Sequence, residues 1–101
     1  MNIDFVILAA GKGTRMGGDS PKVLARLAGK PMLQNLINTT HKFKKSKRII
    51  VVGYKSDLVK SQIKTTENTD WVRQNKQLGT AHAVKQSIPS LRRGSIAVIL
   101  Y

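Results

Sequence analysis

No cysteine occurs in the chain, so disulfides and thiolate metal sites are excluded and a reducing compartment is permitted. Three prolines and eight glycines are scattered singly or in short turns, and no linker, internal repeat or low-complexity segment is visible. Apolar runs are short: none approaches the roughly 20 residues that a membrane span requires. The N-terminus lacks the basic region, apolar core and small-residue cleavage site of a signal peptide. These absences predict a soluble cytoplasmic protein.

Acidic residues are scarce as well. Five Asp and Glu stand against 18 Lys and Arg, a formal net charge of +13, which favours polyanionic partners: nucleic acid, a membrane surface or phosphorylated small molecules. Five of the seven residues in 42–48 (Lys-Phe-Lys-Lys-Ser-Lys-Arg) are basic. The run reads either as a nucleic-acid patch or as a solvated helix end, where lysines suit the negative end of the helix dipole. Aromatics make up only 5% of the chain, and neither a stacking platform nor a recognition-helix motif accompanies the run, which favours the second reading.

What is present is an alternation of two periods within 101 residues, enough for one domain or part of a larger one. Residues 3–10 form an apolar run broken only by Asp4, as expected of a strand covered on both faces. A glycine-rich loop spans residues 11–20. Pro31 opens a helix to about Thr40 whose apolar face carries Leu33, Leu36 and Ile37. A β-branched strand over 48–52 ends at Gly53, and Ser56 or Asp57 can cap a helix with Leu58, Val59 and Ile63 on one side. A short strand at 70–73 follows. Gly79 and Thr80 then begin a helix bearing Ala81, Val84 and Ile88, with Thr80 as its cap, and residues 95–101 form a last apolar strand. The order β-α-β-α-β-α-β predicts a parallel sheet with helices on both faces. The last residue of a hydrophobic strand is also the last of the chain, which suggests the N-terminal portion of a longer protein.

Ligands of parallel sheets bind beyond the carboxyl ends of the strands, where residues 8–16 (Leu-Ala-Ala-Gly-Lys-Gly-Thr-Arg-Met) emerge. The dinucleotide fingerprint G-x-G-x-x-G fails, since Met16 occupies the third glycine position after Gly11 and Gly13. The P-loop fails too: Gly13 and Gly18 have its glycine spacing, but Asp19 and Ser20 follow where Lys and Ser or Thr are needed. What remains is exposed backbone N–H groups with Lys12, Arg15 and, after Pro21, Lys22. This set suits a polyphosphate, and it also suits a turn with incidental charges.

The stretch 8–16, followed by Pro-Lys-Val-Leu at 21–24 and Leu-Ala-Gly-Lys-Pro-Met at 27–32, resembles the sugar-phosphate nucleotidyltransferases. Residues 71–83 (Trp-Val-Arg-Gln-Asn-Lys-Gln-Leu-Gly-Thr-Ala-His-Ala) narrow the resemblance to the bacterial N-acetylglucosamine-1-phosphate uridyltransferases. Methylerythritol cytidylyltransferases share the loop but are not expected to carry the second stretch. Molybdenum-cofactor guanylyltransferases have a lysine where Ser20 stands. The resemblance covers essentially the whole chain.

It implies a three-layer α/β sandwich with a mostly parallel, Rossmann-like sheet, of which residues 1–101 are the N-terminal segment. The remainder of that domain and a left-handed β-helix acetyltransferase domain would be absent. The implied reaction is uridyl transfer from UTP to N-acetylglucosamine 1-phosphate, giving UDP-N-acetylglucosamine and pyrophosphate for peptidoglycan and lipopolysaccharide precursors. The full-length protein would be a homotrimer without nucleic-acid or membrane partners. By position, Leu8, Ala9, Ala10 and Gly11 would offer backbone groups to the nucleotide, with Ala10 near the uracil. Arg15 would stabilise the departing pyrophosphate and Lys22 would contact the phosphates. Gln74 would hydrogen-bond the uracil, with Gly79 and Thr80 closing over it. Tyr101 would begin the segment leading to the metal and the sugar. Gln77 admits either a binding or a plain structural reading, His82 reads as structural, and Trp71 reads as core. Mg²⁺ would be the cofactor, but none of Asp4, Asp19, Asp57, Glu67 and Asp70 matches a family metal ligand, so its ligands are expected beyond residue 101. The 101-residue chain is therefore expected to have little activity alone.

Overall fold

The computed structural model describes residues 2–11, 21–65, 67–76 and 78–100. Four parallel strands form the main sheet: β1 (Ile3–Ala9), β4 (Ser46–Val52), β5 (Thr69–Arg73) and β6 (Ile96–Leu100), in the order β5-β4-β1-β6. Alternation along each strand sends side chains to opposite faces. Ile7, Ala9, Ile50 and Val52 point to one face, where they meet Leu33 and Ile37 of α1 (Met32–Thr40) and Val59 of α2 (Ser56–Gln62). Val6, Ala10, Ile49 and Val51 point to the other, against Ala83 of α3 (Thr80–Ser87). Ile7, Ile49, Ile50, Val51 and Val52 have no exposed surface, and each contributes about 1.5–3 kcal/mol of transfer free energy. The architecture is the expected α/β sandwich: two helical layers on a parallel sheet.

Several local details differ from the sequence reading. Pro31 is not the first helical residue but the N-cap of α1, in extended geometry, because it also closes a small hairpin. That hairpin, unanticipated from the sequence, pairs β2 (Arg26–Leu27) with β3 (Lys30–Pro31). Its two-residue turn has positive φ at both Ala28 (55°) and Gly29 (79°), the twist that suits a tight hairpin. Neither Ser56 nor Asp57 caps α2; Lys55 does so with left-handed backbone, and no side chain caps the helix. Leu58 and Ile88, expected to face the core, are 36% and 57% exposed. Thr80 is the first residue of α3 rather than its cap, and Ala83 and Ser87, not Ala81 and Ile88, form the buried side. The strand β6 lies at the sheet edge with Ile96 and Ile99 exposed, so it lacks the two-sided cover expected of it.

The basic run 42–48 is split by the fold. Lys42, Lys44 and Lys45 are exposed in the turn after α1. Lys47 pairs with Asp70 at 2.9 Å and donates to the Ser90 carbonyl at 2.7 Å. Arg48 lies inside β4 at 3% exposure and donates to the hydroxyls of Ser46, Thr40 and Thr69 and to the Glu67 carbonyl. Two of the five cations thus hold the fold together instead of facing a partner.

Candidate nucleotide site

A cavity of about 500 Å³ opens beyond the carboxyl ends of β1 and β5, between α1 and the start of α3. Its position follows from the topology. From β1 the chain moves to β4 on one side, whereas β6 returns on the other, and crevices form where the strand order reverses in this way.

Of the residues singled out from the sequence, Leu8, Ala10, Gly11, Gln74, Gly79 and Thr80 all line this one cavity. They come from three separate segments. Leu8, Ala10 and Gly11 arrive at the end of β1, where Ala10 is tied down because its carbonyl accepts the Tyr54 N–H at 3.2 Å. Gln74 follows β5 directly, its backbone N–H extending the ladder to the Val52 carbonyl at 2.7 Å. Gly79 has φ +97° and ψ 177°, backbone that side-chain-bearing residues rarely adopt, and this turn aims the first residues of α3 at the cavity. No side chain caps α3, so its N-terminal N–H groups keep their partial positive charge toward the opening.

Ala9 is placed differently. Its side chain is buried on the α1–α2 face with Ile7 and Val52, so a role for it in the site rests on its backbone alone. Arg15 and Tyr101 lie outside the described residues, as does Gln77, and so does the side chain of Lys22.

The sequence reading missed the helical wall. Asn35 and Thr39 of α1 line the cavity one turn apart, beside Leu36. Thr39 donates to the Asn35 carbonyl and Asn35 donates to the Leu27 carbonyl at 2.9 Å, so the wall is braced against the β2–β3 hairpin. The polar i, i+4 pair on the flank of the apolar stripe was the available signal. His82, read as structural from the sequence, does not line the cavity. It stands behind Gln74, with Gln74 Nε2 and His82 Nδ1 2.9 Å apart.

Among the described residues, the lining carries no ionisable side chain. Such a surface can hold a flat ring by shape and fix it with a few amide and backbone groups, whereas phosphate charge has to be met by cations elsewhere. Gln74, one of four polar side chains in the described lining with Asn35, Thr39 and Thr80, is 3% exposed.

A parallel α/β sheet with a cavity at its switch point, lined among the described residues by uncharged side chains, and a helix N-terminus beside it belongs to the nucleotide-binding class. The comparisons narrow this. A family model described as the MobA-like NTP transferase domain matches residues 5–100, and the chain belongs to that family. It is 43% identical over 101 residues to the bifunctional protein GlmU of Nitrosomonas eutropha. It is 47% identical over 107 residues to that of Baumannia cicadellinicola subsp. Homalodisca coagulata. Both matches take in 100% of this chain but only 22% and 23% of the relative, so the chain spans under a quarter of these relatives' length. Among solved structures it is similar to HddC from Yersinia pseudotuberculosis complexed with GMP-PN. There the TM-score is 0.79 at 29% identity, covering 95% of this chain and 46% of that one. No helix among the described residues is long and apolar enough to cross a membrane.

Proposed function

We propose that this chain forms the base- and phosphate-binding segment of a uridyltransferase that joins UTP to N-acetylglucosamine 1-phosphate. The carrying observation is the convergence of Leu8, Ala10, Gly11, Gln74, Gly79 and Thr80 on one cavity. The identity to GlmU relatives over the whole chain supports the choice of reaction. In that reaction an oxygen of the sugar phosphate attacks the α-phosphorus of UTP in line. The new P–O bond forms as the bond to the bridging oxygen of the β-phosphate breaks, and pyrophosphate leaves. This chemistry relies on positioning and charge stabilisation. Gln74, Gly79 and Thr80 hold the base, and the backbone of residues 8–11 approaches the nucleotide. Lys22 meets the phosphates, Arg15 meets the leaving pyrophosphate, and Tyr101 leads toward the sugar.

Magnesium is the metal this reaction would use. The described residues do not supply a site for it: Asp4 is engaged by Arg92 and Ser95, Asp70 pairs with Lys47, and no three Asp, Glu or His side chains cluster among them. The ligands would therefore come from outside the described residues. We read the chain as part of a longer polypeptide; it spans under a quarter of the length of its GlmU relatives. In this reading the longer protein works in the cytoplasm, where its nucleotide and sugar-phosphate substrates are made, as a homotrimer and without nucleic-acid or membrane partners.

The test is nucleotide binding at fixed ionic strength. UTP binding more tightly than CTP or ATP supports the proposal; equal weak binding of all three would leave only charge attraction and overturn it. The rival is a basic nucleic-acid module acting through residues 42–48. It predicts affinity for DNA or RNA that falls steeply with salt.

A further inference from the structure

Behind Gln74 lies an arrangement that the nucleotide-binding role alone does not require. The Nε2 of Gln74 is 2.9 Å from Nδ1 of His82 and 3.4 Å from the carbonyl oxygen of Gly79. A carbonyl can only accept, so the Gln74 nitrogen is a donor to Gly79, and its second hydrogen is directed at His82. Nδ1 must then accept, which puts the ring proton of neutral His82 on Nε2. That N–H needs an acceptor of its own, and the Gln86 amide sits 3.3 Å from it, one turn further along α3. As placed, Gln86 also donates from Nε2 to the His82 carbonyl at 3.4 Å, so accepting the ring N–H requires its amide to turn over and give up that bond, which its partial exposure permits. Gln74, at 3% exposure, has no such freedom.

We infer that His82 is a positioning residue that locks the direction of the Gln74 amide, so that its Oε1 is the acceptor offered to a base in the cavity. The inference rests on the nucleotide reading and deepens it by naming the base chemistry. An acceptor at that point suits a ring N–H flanked by a carbonyl, as at N3 of uracil or N1 of guanine. It opposes the bare ring nitrogen of cytosine or adenine, where two lone pairs would meet. With Gln74 turned the other way, the same cavity would prefer cytosine. A backed-up amide thus turns a group with two faces into one that discriminates. The Gln74–His82–Gln86 chain runs along one side of α3, so the helix that presents its N-terminus to the cavity also fixes the amide's orientation.

The experiment measures UTP and CTP affinities, with GTP as the purine control, for the protein and for its His82→Phe and His82→Asn variants. Phenylalanine fills the space without an acceptor, and asparagine can place its carbonyl oxygen near the Nδ1 position. The parent protein should prefer UTP. His82→Phe should lower the UTP-to-CTP affinity ratio by between about three- and tenfold, the size of one neutral hydrogen bond, and His82→Asn should restore most of it. Equal weakening of both nucleotides, or an unchanged ratio in a His82→Phe variant with a native far-ultraviolet spectrum, would overturn the role of His82 while leaving the nucleotide site standing. Tighter binding of CTP than UTP by the parent would overturn the assigned amide direction. No binding of any nucleoside triphosphate would overturn the nucleotide reading itself. Should His82→Phe fail to fold, nitrogen-15 spectra of the parent decide the matter without a ligand: a protonated Nε2 and a bare Nδ1 support the lock, and a protonated Nδ1 overturns it.

Discussion

The Asp4 carboxylate, fully buried in β1, is clasped by Arg92 from 88 residues further along the chain. Its Oδ2 accepts the Arg92 backbone N–H at 2.7 Å and the Ser95 hydroxyl at 2.8 Å, and its Oδ1 accepts the Arg92 Nε at 2.7 Å. The same guanidinium also donates to the carbonyls of Ile3 and Lys45, so one side chain pins the entry of β1 to the turn that leads into β6. Burial alone would raise the Asp4 pKa. The bonds from Arg92 and Ser95, together with the Arg92 charge, outweigh it and hold the group below its ordinary value of 3.8.

Stability should therefore depend on acid in a defined direction. A carboxyl whose pKa is lower folded than unfolded contributes fully above the unfolded value, and the contribution is lost as pH falls below about 3.8 toward the folded value. Asp4→Ala leaves the half-buried Arg92 and Ser95 donors without their acceptor and should cost about 1–3 kcal/mol. Urea unfolding between pH 3 and pH 7 checks both points: the parent should lose stability at the acid end, and the variant should show less of that loss.

Replacing Gln74 with alanine removes the buried amide of the cavity wall. UTP affinity should fall about tenfold, with little change for the triphosphate group presented alone as inorganic tripolyphosphate. Unchanged UTP affinity in a folded variant would remove Gln74 from the site.

Gly79 tests the backbone. A Cβ added there meets nothing within 4 Å, so Gly79→Ala acts only through the left-handed φ of +97°. Strain of this kind costs about 1–3 kcal/mol. The variant should melt lower and bind UTP more weakly than Thr80→Ala, since a shift at this residue moves the whole start of α3.

The split of the basic run makes a paired prediction. Replacing the exposed Lys42, Lys44 and Lys45 together by glutamine should change stability by no more than about 0.5 kcal/mol, as surface substitutions do. Arg48→Met should cost about 1–3 kcal/mol, because the polar groups it serves around β4 lose their donor. Denaturation of the two variants side by side reads the difference, and residual salt-dependent nucleic-acid binding by the triple variant would count against a site in that run.

Much of this molecule follows from local periods. The short β-branched run at 48–52, stopped by Gly53, reads as a strand, and the spacing of Leu33 and Ile37 gives α1 one apolar face. Glycine at 79 foretells a turn, and the resemblance of 8–16 and 71–83 to nucleotidyltransferases names the class before any fold is drawn. These signals are legible because each depends on neighbours within one or two turns of chain.

What the sequence could not settle depends on partners far away along it. The order β5-β4-β1-β6 decides that residues 8–11, 74 and 79–80 share one cavity, whereas Ala9, inside the same motif, turns to the opposite face. Arg48 reads as one more lysine-rich surface charge until β4 carries it between Thr40 and Thr69. His82 reads as a structural histidine, and only the packing of α3 shows that its partner is Gln74. The sequence determined the alternating elements and the motifs, because hydrophobic period and turn chemistry act locally. Only the tertiary structure decided which polar side chains became partners, because burial and hydrogen-bond direction are set by residues the chain brings back from tens of positions away.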